Sequence, residues 1–329
     1  MDFKQAYVAQ DWSYERPLLA CRVSPDGQQA VTSSEDSSLQ RWNLATGEKI
    51  VIQGHKSWVH AIQFTKDGSQ LISGGCDGKL IWWPIVDLEP KPLRTVEAHS
   101  GWIRAIALSA DGTQLASVGN DLTVRLWDVA SGAKLVEWAG HEKHIYSVMF
   151  HPDGQHLLTG DLAGKIHLWN IASKQLARSF DAKPLHTYEA GQRVDFGGVR
   201  GLALTADGTQ LVAGGLHKAT NPLGAVHEPL VLRFNFADGQ LLKSHMCDGI
   251  PGGVVWRLSC LPDGTVMAVC GGSSGGFLIF FGGDSEKDIY RFQLPALARD
   301  MDWHAPTERV ATVHHDQHLR LTNLFAKTG

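Results

Sequence analysis

An Asp-Gly pair recurs along this 329-residue chain and divides it into units of similar length. In six units the pair closes a four-residue turn motif: Ser24 to Gly27, Thr65 to Gly68, Ser109 to Gly112, His151 to Gly154, Thr205 to Gly208 and Leu261 to Gly264. Successive Asp residues are 41, 44, 42, 54 and 56 positions apart, and a degraded seventh copy at His304 to Thr307 begins 43 positions after the sixth. A period of about 40 to 45 residues indicates a fold built from similar modules, here seven of them.

Each unit has the pattern of four β-strands. Short apolar runs lie on both sides of the Asp-Gly turn, a third run ends in Trp in the first four units, and a fourth follows a polar turn. Strand-length runs bounded by turn residues are typical of antiparallel meanders, and helical spacing is absent. Seven such sheets arranged radially round a channel leave no long exposed edge, so the sequence predicts an all-β, seven-bladed propeller.

The two ends of the chain predict how the ring closes. Unit 7 runs out after its third strand, near Leu319 to Phe325, whereas Phe3 to Gln10 precede unit 1 without a strand to pair with. We therefore expect the N-terminal segment to form the outer strand of blade 7. The predicted single domain is divided at 1–16 for that strand and at 17–54, 55–98, 99–140, 141–197, 198–253, 254–296 and 297–329 for blades 1 to 7.

The units resemble the repeats of the WD-repeat β-propeller family. A Gly-His pair, the Asp-Gly turn and a terminal Trp-Asp occur together in the third unit, which ends in RLWDVASG (Arg125 to Gly132). Trp-Asn takes the place of Trp-Asp at Trp42-Asn43 and Trp169-Asn170. Units 5, 6 and 7 match more weakly, with Phe234, Phe280 and Thr322 at the Trp position. The resemblance covers essentially the whole chain and implies a propeller that binds proteins at the end where the interblade loops gather.

Composition excludes several classes of partner. The net charge is −4, the isoelectric point is about 6.5 and no long run of Lys or Arg occurs, so we expect neither nucleic-acid nor membrane binding, although a local basic patch is still possible. No apolar run approaches the length of a membrane span, and the first residues lack the apolar core of a secretory signal. Five scattered cysteines without a CxxC pair predict free thiols. We expect a cytoplasmic protein, monomeric by itself, with no cofactor.

A set of His, Ser, Asp and Trp recurs with constant spacing. The two complete copies, each with separations of 18, 4 and 6 residues, are His55, Ser73, Asp77 and Trp83 in unit 2 and His99, Ser117, Asp121 and Trp127 in unit 3. A hydrolase is one interpretation, but a catalytic triad needs one nucleophile in one pocket, whereas this set recurs from unit to unit. We therefore predict a structural hydrogen-bond network, as the resemblance also implies.

Three further units carry incomplete copies of this network. Unit 1 lacks the Gly-His pair, unit 7 lacks the Trp, and unit 4 has Ala163 where the Asp belongs. We expect these blades to be locally less stable.

A second enzymatic interpretation concerns the segment Trp127 to Trp138, which superficially resembles the tryptophan-docking motif of quinoprotein propellers. The segment falls on the turn between third and fourth strands that every unit contains, and no acidic or Asn cluster for a calcium-bound quinone accompanies it. We therefore predict that the protein is not an enzyme.

Residues near the start of each first strand provide the candidate binding surface. Positions two apart on a strand point the same way, and here they should face the end where the loops and Asp turns gather. With His315 beside the unit 7 Asp turn, the candidate partner-binding residues are Trp58, His60, Trp102, Arg104, His144, Tyr146, Arg200, Trp256, Arg299 and His315. Aromatic residues and Arg dominate the energies of interfaces. Packing between neighbouring blades is the alternative role for these aromatic residues.

The same end of the ring should carry two insertions, Ala182 to Gly198 and Leu216 to Pro229, and loops longer than a repeat needs are often functional. The three arginines suggest a partner with acidic or phosphorylated side chains. We therefore predict a non-catalytic scaffold that binds a protein or peptide. The alternative is an enzyme or small-molecule site in the central channel, with His60, His144 and His315 as metal ligands.

Overall fold

The strands pair into seven four-stranded antiparallel sheets, and the structure thereby confirms the predicted propeller. The computed structural model describes residues 1–221, 226–273 and 275–327. The chain begins with a 3-10 helix (Phe3–Gln5) and strand β1 (Tyr7–Ser13), which precede the first blade. Among the residues that the structure describes, no helix is long and apolar enough to cross a membrane.

Blades 1 to 3 each consist of four consecutive strands. Blade 1 contains β2 (Leu18–Val23), β3 (Gln29–Ser34), β4 (Leu39–Asn43) and β5 (Lys49–Ile52). Blade 2 contains β6 (Val59–Phe64), β7 (Gln70–Gly75), β8 (Lys79–Pro84) and β9 (Arg94–Glu97). Blade 3 contains β10 (Ile103–Leu108), β11 (Gln114–Gly119), β12 (Thr123–Asp128) and β13 (Lys134–Ala139).

Blades 4 to 6 follow the same order, with one insertion after blade 4. Blade 4 contains β14 (Ile145–Phe150), β15 (His156–Asp161), β16 (Lys165–Asn170) and β17 (Gln175–Asp181). The insertion contains a 3-10 helix (Lys183–Leu185) and a hairpin of β18 (His186–Glu189) and β19 (Val194–Gly197). Blade 5 contains β20 (Gly201–Leu204), β21 (Gln210–Asn221), β22 (Val226–Asn235) and β23 (Leu241–Met246). Blade 6 contains β24 (Val254–Cys260), β25 (Val266–Gly272), β26 (Gly275–Phe281) and β27 (Tyr290–Leu294).

Blade 7 joins the two ends of the chain. It contains β28 (Ala298–His304), a 3-10 turn (Ala305–Thr307), β29 (Arg309–His314), β30 (His318–Asn323) and, as its outer strand, β1. Strand β1 runs antiparallel to β30, with Tyr7 opposite Asn323 and Ser13 opposite His318. The predicted closure by the N-terminal strand is therefore confirmed.

The penultimate residue of each third strand holds the same register in all seven blades. Trp83 lies opposite Leu71, and the same pairing places Phe234 opposite Leu211, Phe280 opposite Met267 and Thr322 opposite Val310. The assignment of the degenerate units is therefore correct, and the apolar run Phe277 to Phe281 is part of the third strand of blade 6.

Neighbouring blades are held together by apolar side chains from both faces of each sheet. Trp82 and Trp83 are consecutive in β8 and therefore point to opposite faces. Trp82 packs against blade 3 beside Ile103, whereas Trp83 packs against blade 1 beside Leu39, and both indoles are fully buried. Full burial of one large apolar side chain stabilises a fold by about 1.5 to 3 kcal/mol, so this pattern, repeated round the ring, holds each blade to both neighbours.

The insertion in blade 5 is strand rather than loop. Residues 216–221 and 226–229 extend β21 and β22 into a long strand pair, and residues 222–225 lie outside the described residues. Leu216 and Ala219 of this strand pair pack with Phe196 of the β18-β19 hairpin and with Trp256 of blade 6. Both insertions therefore rise beside the first-strand position at which candidate binding residues were predicted.

Candidate functional site

The innermost strands of all seven blades converge on one cavity at the loop-rich end of the channel. The cavity has a volume of about 180 Å³, and we call it the channel mouth. Ten of the residues that line it, with at least one from each blade, are Leu19 and Arg22, His60, Arg104, Tyr146, Arg200, Trp256 and Arg257, and Arg299 and Asp300. Six of these ten side chains were predicted as partner-binding residues.

Aromatic rings alternate with other side chains from blade 2 to blade 3. The ring of Trp58 lies 6.3 Å from that of His60 in an edge-on arrangement, and His60 lies 6.5 Å from Trp102. The guanidinium carbon of Arg104 is 4.6 Å from the centre of the Trp102 ring, within the range of a cation-π interaction.

The series continues from blade 3 to blade 6. Arg104 and Arg200 both approach the ring of Tyr146, at 5.1 and 3.9 Å, and Arg200 is also 5.8 Å from the centre of the Trp256 ring. We call this continuous set the aromatic-arginine arc; its members are Trp58, His60, Trp102, Arg104, Tyr146, Arg200 and Trp256.

Exposure differs along the arc. Trp58 and Trp102 are each 41 % exposed, although the indole of Trp58 is fixed by donating a 2.9 Å hydrogen bond to the carbonyl of Glu35. Tyr146, Arg200 and Trp256 are half-buried, while His144 lies outside the arc and is exposed. The arc therefore presents two large rings to solvent at one end and a more enclosed group of side chains at the other.

The three predicted arginines differ in whether a carboxylate neutralises their charge. Arg299 forms a 2.7 Å ion pair with Glu35 and contacts Nδ1 of His315 at 2.8 Å. In contrast, Nε of Arg104 donates to the Asn120 side-chain oxygen at 2.8 Å and Nε of Arg200 donates to the Gly197 carbonyl at 3.0 Å, so both partners are neutral. Within the described part of the chain, Arg104 and Arg200 form no ion pair with a carboxylate.

The sequence prediction missed an ionic cluster in the lining of the channel mouth. Asp300 accepts hydrogen bonds from Arg22 at 3.0 Å and from Arg257 at 2.5 Å. Burial favours the protonated acid, but Arg257 and Arg22 outweigh it and hold the pKa of Asp300 below its usual value. The sequence feature that could have indicated this cluster is a charged residue inside an otherwise apolar first strand, as in LLACRV (Leu18–Val23).

The predicted histidines do not assemble into a metal site. Burial, reinforced by Arg104 and Arg299, lowers the pKa of His60 to about 4, so its imidazole is neutral at neutral pH. Nδ1 of His315 contacts Arg299, and the described residues contain no group of three or more His, Cys, Asp or Glu side chains that could hold a metal ion. The metal alternative therefore has no support in the geometry.

The repeated His, Ser, Asp and Trp residues form a chain of hydrogen bonds within blade 2 and again within blade 3. In blade 2, Trp83 Nε1 donates to Ser73 Oγ at 2.8 Å, Ser73 lies 2.8 Å from His55 Nε2, and His55 Nδ1 lies 3.0 Å from Asp77. A Cβ at Gly54 would collide with the Trp83 ring, which explains the Gly before His55. Ser73 is fully buried, so no substrate can reach its hydroxyl.

Blade 3 repeats this geometry almost without change. Trp127 Nε1 to Ser117 Oγ is 2.8 Å, Ser117 Oγ to His99 Nε2 is 2.7 Å, and His99 Nδ1 to Asp121 is 2.8 Å. Burial opposes ionisation of Asp121, but hydrogen bonds from His99 and Arg125 hold its pKa well below the usual range. The carboxylate is therefore a fixed anchor for the histidine.

Blade 4 contradicts the prediction that its network lacks the Asp. His141 Nδ1 lies 2.7 Å from Asp161, and His141 Nε2 lies 2.7 Å from Thr159 Oγ1, which also accepts from Trp169. Asp161 ends β15, two residues before Ala163, and its carboxylate reaches the histidine from the strand instead of from the turn. The predicted gap at Ala163 was therefore wrong.

Blades 1 and 7 contain substitutes for the missing members. In blade 1 the Tyr14 hydroxyl donates to Asp36 at 2.8 Å, and Thr32, which accepts from Trp42, donates to Gln40 at 2.8 Å. In blade 7 Nε2 of His314 lies 2.8 Å from the Thr312 hydroxyl, so a histidine from the second strand replaces the one from the preceding loop. Nothing in the spacing of the repeats indicated these replacements.

The fold and the networks of blades 1 to 4 define a class, the seven-bladed propellers in which a buried third-strand Trp donates a hydrogen bond within its own blade. The family model for the WD domain, G-beta repeat, matches residues 12–43, 47–84, 90–128 and 132–170. Residues 12–170 therefore contain four repeats of the WD-repeat β-propeller family.

Curated relatives match only part of their own length. The chain is 31 % identical over 202 residues to apoptotic protease-activating factor 1 of Rattus norvegicus, covering 61 % of this chain and 16 % of that protein. It is 26 % identical over 160 residues to transcription initiation factor TFIID subunit 5 of Caenorhabditis elegans, covering 49 % and 24 %. It is 25 % identical over 174 residues to the guanine nucleotide-binding protein subunit beta of Oryza sativa, covering 50 % and 34 %. The chain thus spans less than half the length of each of these relatives.

Proposed function

We propose that the chain is a non-catalytic scaffold that binds a protein or peptide at the loop-rich end of the propeller. The observation that carries this proposal is the pair of exposed indoles, Trp58 and Trp102, which lie on adjacent blades with His60 between them. Trp is the residue type most enriched among interface hot spots, and a surface indole gains most when a partner excludes water from it.

The two insertions extend this surface on the opposite side of the ring. Tyr188 of the β18-β19 hairpin is 54 % exposed, and Val194 of the same hairpin is also exposed. Exposed apolar side chains that cluster at one end of a protein are typical of an interaction surface. A partner that contacts both the indoles and the insertions would cross the channel mouth.

The partner proposed here carries acidic or phosphorylated side chains. Arg104 and Arg200 lack a carboxylate partner within the described residues, whereas Arg299 already pairs with Glu35. Charge-assisted hydrogen bonds to guanidinium are about twice as strong as neutral ones, so two free guanidinium groups favour an anionic partner.

The relatives support a role in an assembly. Two of them are named as subunits, one of TFIID and one of a guanine nucleotide-binding protein. We also place the protein in the cytoplasm as a monomer. All five cysteines are free thiols, which suits a reducing compartment, and blade 7 closes with a strand of the same chain.

Affinity capture from cells that produce the protein tests the proposal. The parent chain is compared with a variant carrying Trp58→Ala, Trp102→Ala and Arg104→Ala, and with a control carrying Val86→Ala and Leu88→Ala. The control residues are 80 % and 78 % exposed and lie in the β8-β9 turn at the opposite end of the ring. All three proteins must first show cooperative melts.

We expect the arc variant to lose specific proteins that the parent and the control both retain. A capture that the arc substitutions leave unchanged, or that contains no specific protein, would overturn the scaffold function and favour a small ligand in the channel.

A further inference from the structure

Charge is unbalanced round the channel mouth. Five arginines line it, but Asp300 is the single acidic residue among the described residues that do so. Asp300 binds Arg22 and Arg257, and Glu35 binds Arg299 from the rim. Arg104 and Arg200 are left without a carboxylate partner among the described residues, and positive charge exceeds negative charge in this partly enclosed space.

These two guanidinium groups are held in place without being neutralised. Each is anchored at Nε by a neutral oxygen and lies against the Tyr146 ring. Burial lowers the pKa of Arg104, and burial together with the nearby Arg104 lowers the pKa of Arg200, so the protein opposes both charges. An anion bound by both guanidinium groups would offset the cost of burying their charges. The two groups are already held in place before the anion binds.

The arrangement suits a phosphate better than a carboxylate. One guanidinium group alone satisfies both oxygens of a carboxylate in a planar, bidentate pair. Arg104 and Arg200 come from blades 3 and 5, and Trp256 of blade 6 adds an indole Nε1 that is buried without a hydrogen-bond partner. Three donors on separate blades require an acceptor with oxygens in several directions and a charge near −2, which a phosphate monoester has at neutral pH.

The size of the cavity limits the ligand further. Sites for whole drug-sized molecules have volumes of about 300 to 1,000 Å³, whereas the channel mouth has about 180 Å³. We propose that the channel mouth binds one phosphate group, held by Arg104 and Arg200 with the indole of Trp256 as a third donor. The proposal rests on the proposed function, since that function supplies the surface on which a phosphorylated partner would lie.

Titration of the full chain with inorganic phosphate tests the site directly. Phosphate, sulfate and acetate are compared by thermal shift and calorimetry at constant ionic strength, because screening alone changes the energy of exposed charges. We expect saturable stabilisation by phosphate, weaker stabilisation by sulfate and none by acetate. Equal effects of phosphate and acetate, or no saturable effect of phosphate, would overturn the proposal.

Substitution of single arginines tests which of them bind the phosphate. Arg104→Gln and Arg200→Gln should each weaken phosphate binding by about tenfold or more, because each removes a charge-assisted contact. Arg299→Gln is the matched control, since Arg299 lines the same cavity but is already paired with Glu35, and it should change the affinity less than threefold. An Arg299→Gln variant that loses binding as fully as Arg104→Gln would contradict the assignment to the two unpaired arginines.

A spectroscopic signal keeps the test valid if an arginine variant fails to fold. The indole N–H resonance of Trp256 in the parent chain, assigned by comparison with Trp256→Phe, should shift as phosphate is added. Saturable binding that leaves this resonance unmoved would place the phosphate elsewhere and overturn the proposal.

Two sources of the phosphate are distinguished by the same assay. A captured partner that inorganic phosphate displaces, and that phosphatase treatment releases, carries the phosphate as a modified side chain. Phosphate binding that no captured partner competes for assigns the site to a free phosphorylated molecule. If a variant that carries only Trp58→Ala and Trp102→Ala loses the captured proteins but phosphate does not bind the parent, the scaffold function stands and the phosphate site fails. If phosphate binds but the loss of both indoles leaves capture unchanged, the phosphate site stands and the scaffold function fails.

Discussion

Blades 2 to 4 and blades 5 and 6 have the same strand order but differently composed interiors. In blade 3 the third-strand Trp127 donates to Ser117, which is tied to a histidine. In blade 5 the same two positions hold Phe234 and Ala213, and in blade 6 they hold Phe280 and Val269. The WD family model matches residues 12–170 in four segments and none of the later blades, although these fold in the same way.

The difference shows which features a blade requires. Phe in place of Trp removes a donor, and Ala or Val in place of Ser removes its acceptor, so the two changes made together leave neither member of this pair without a partner. Replacing both members of a hydrogen-bonded pair by apolar groups can be nearly neutral, whereas losing one costs about 1 to 3 kcal/mol. The register and the apolar alternation therefore define the blade, and the network stabilises it.

Blade 7 lies between these two types. It keeps Thr312 and obtains His314 from its second strand, but Thr322 occupies the Trp position and its hydroxyl is buried without a hydrogen-bond partner in the described residues. The blade gains its outer strand from β1, and Phe3 just before that strand stacks on Phe280 of blade 6 at 4.3 Å. Closure thus compensates for the weak interior of this blade.

The largest expected effect is that of removing closure. Deleting residues 1–10 removes most of β1 and the Phe3 stack, and it exposes the edge of β30. We expect a fall in melting temperature of more than about 10 °C, or loss of the cooperative transition, by calorimetry. The single substitution Phe3→Ala, which keeps β1, should cost about 1 to 2 kcal/mol. A truncated chain that melts like the parent would show that closure contributes nothing.

A smaller effect tests the network of blade 4. Asp161→Ala leaves the buried His141 Nδ1 without its acceptor and should cost about 2 to 3 kcal/mol in denaturant unfolding. Ala163→Asp is the matched control, because it places an Asp at the position occupied in blades 2 and 3, and it should not stabilise the parent. Rescue of Asp161→Ala by Ala163→Asp would show that the turn position can also anchor the histidine.

A double-mutant cycle in blade 3 converts its interior into that of blade 5. Ser117→Ala alone leaves the Trp127 indole unpaired and should cost about 1 to 2 kcal/mol. Adding Trp127→Phe should cost less than it does in the parent, because the donor and the acceptor are then removed together. Strictly additive effects would mean that the two side chains are not coupled.

The smallest effect concerns acid. Burial lowers the pKa values of His245 in blade 5 and His314 in blade 7 to about 4, from the usual 6.5. Between these values the unfolded chain binds protons that the folded chain does not, so stability is lost as the pH falls below about 6.5. Each such histidine should contribute about 1 kcal/mol of that loss by pH 5.5. His314→Gln should make unfolding measured from pH 7 to 5.5 less pH-dependent, and an unchanged slope would contradict this account.

The sequence alone was sufficient for the architecture. The spacing of the Asp-Gly turns indicated seven blades, and the unpaired ends of the chain predicted closure by β1. The alignment of the third strands identified Phe234, Phe280 and Thr322 as equivalents of Trp. These features depend on turn chemistry and apolar alternation, which act between residues that are close along the chain. The candidate residues of the loop-rich end followed from the same alignment, since equivalent positions on equivalent strands face the same end.

Only the tertiary structure decided which of those residues meet. It paired Arg299 with Glu35, left Arg104 and Arg200 against Tyr146, joined Arg22 and Arg257 through Asp300, and brought Asp161 to His141. All of these except the Asp161 contact join different blades, so they depend on ring geometry and on the side-chain rotamer at each position. The charge of a site is set by such contacts, because an arginine is available to a partner only if no neighbouring blade supplies its carboxylate first.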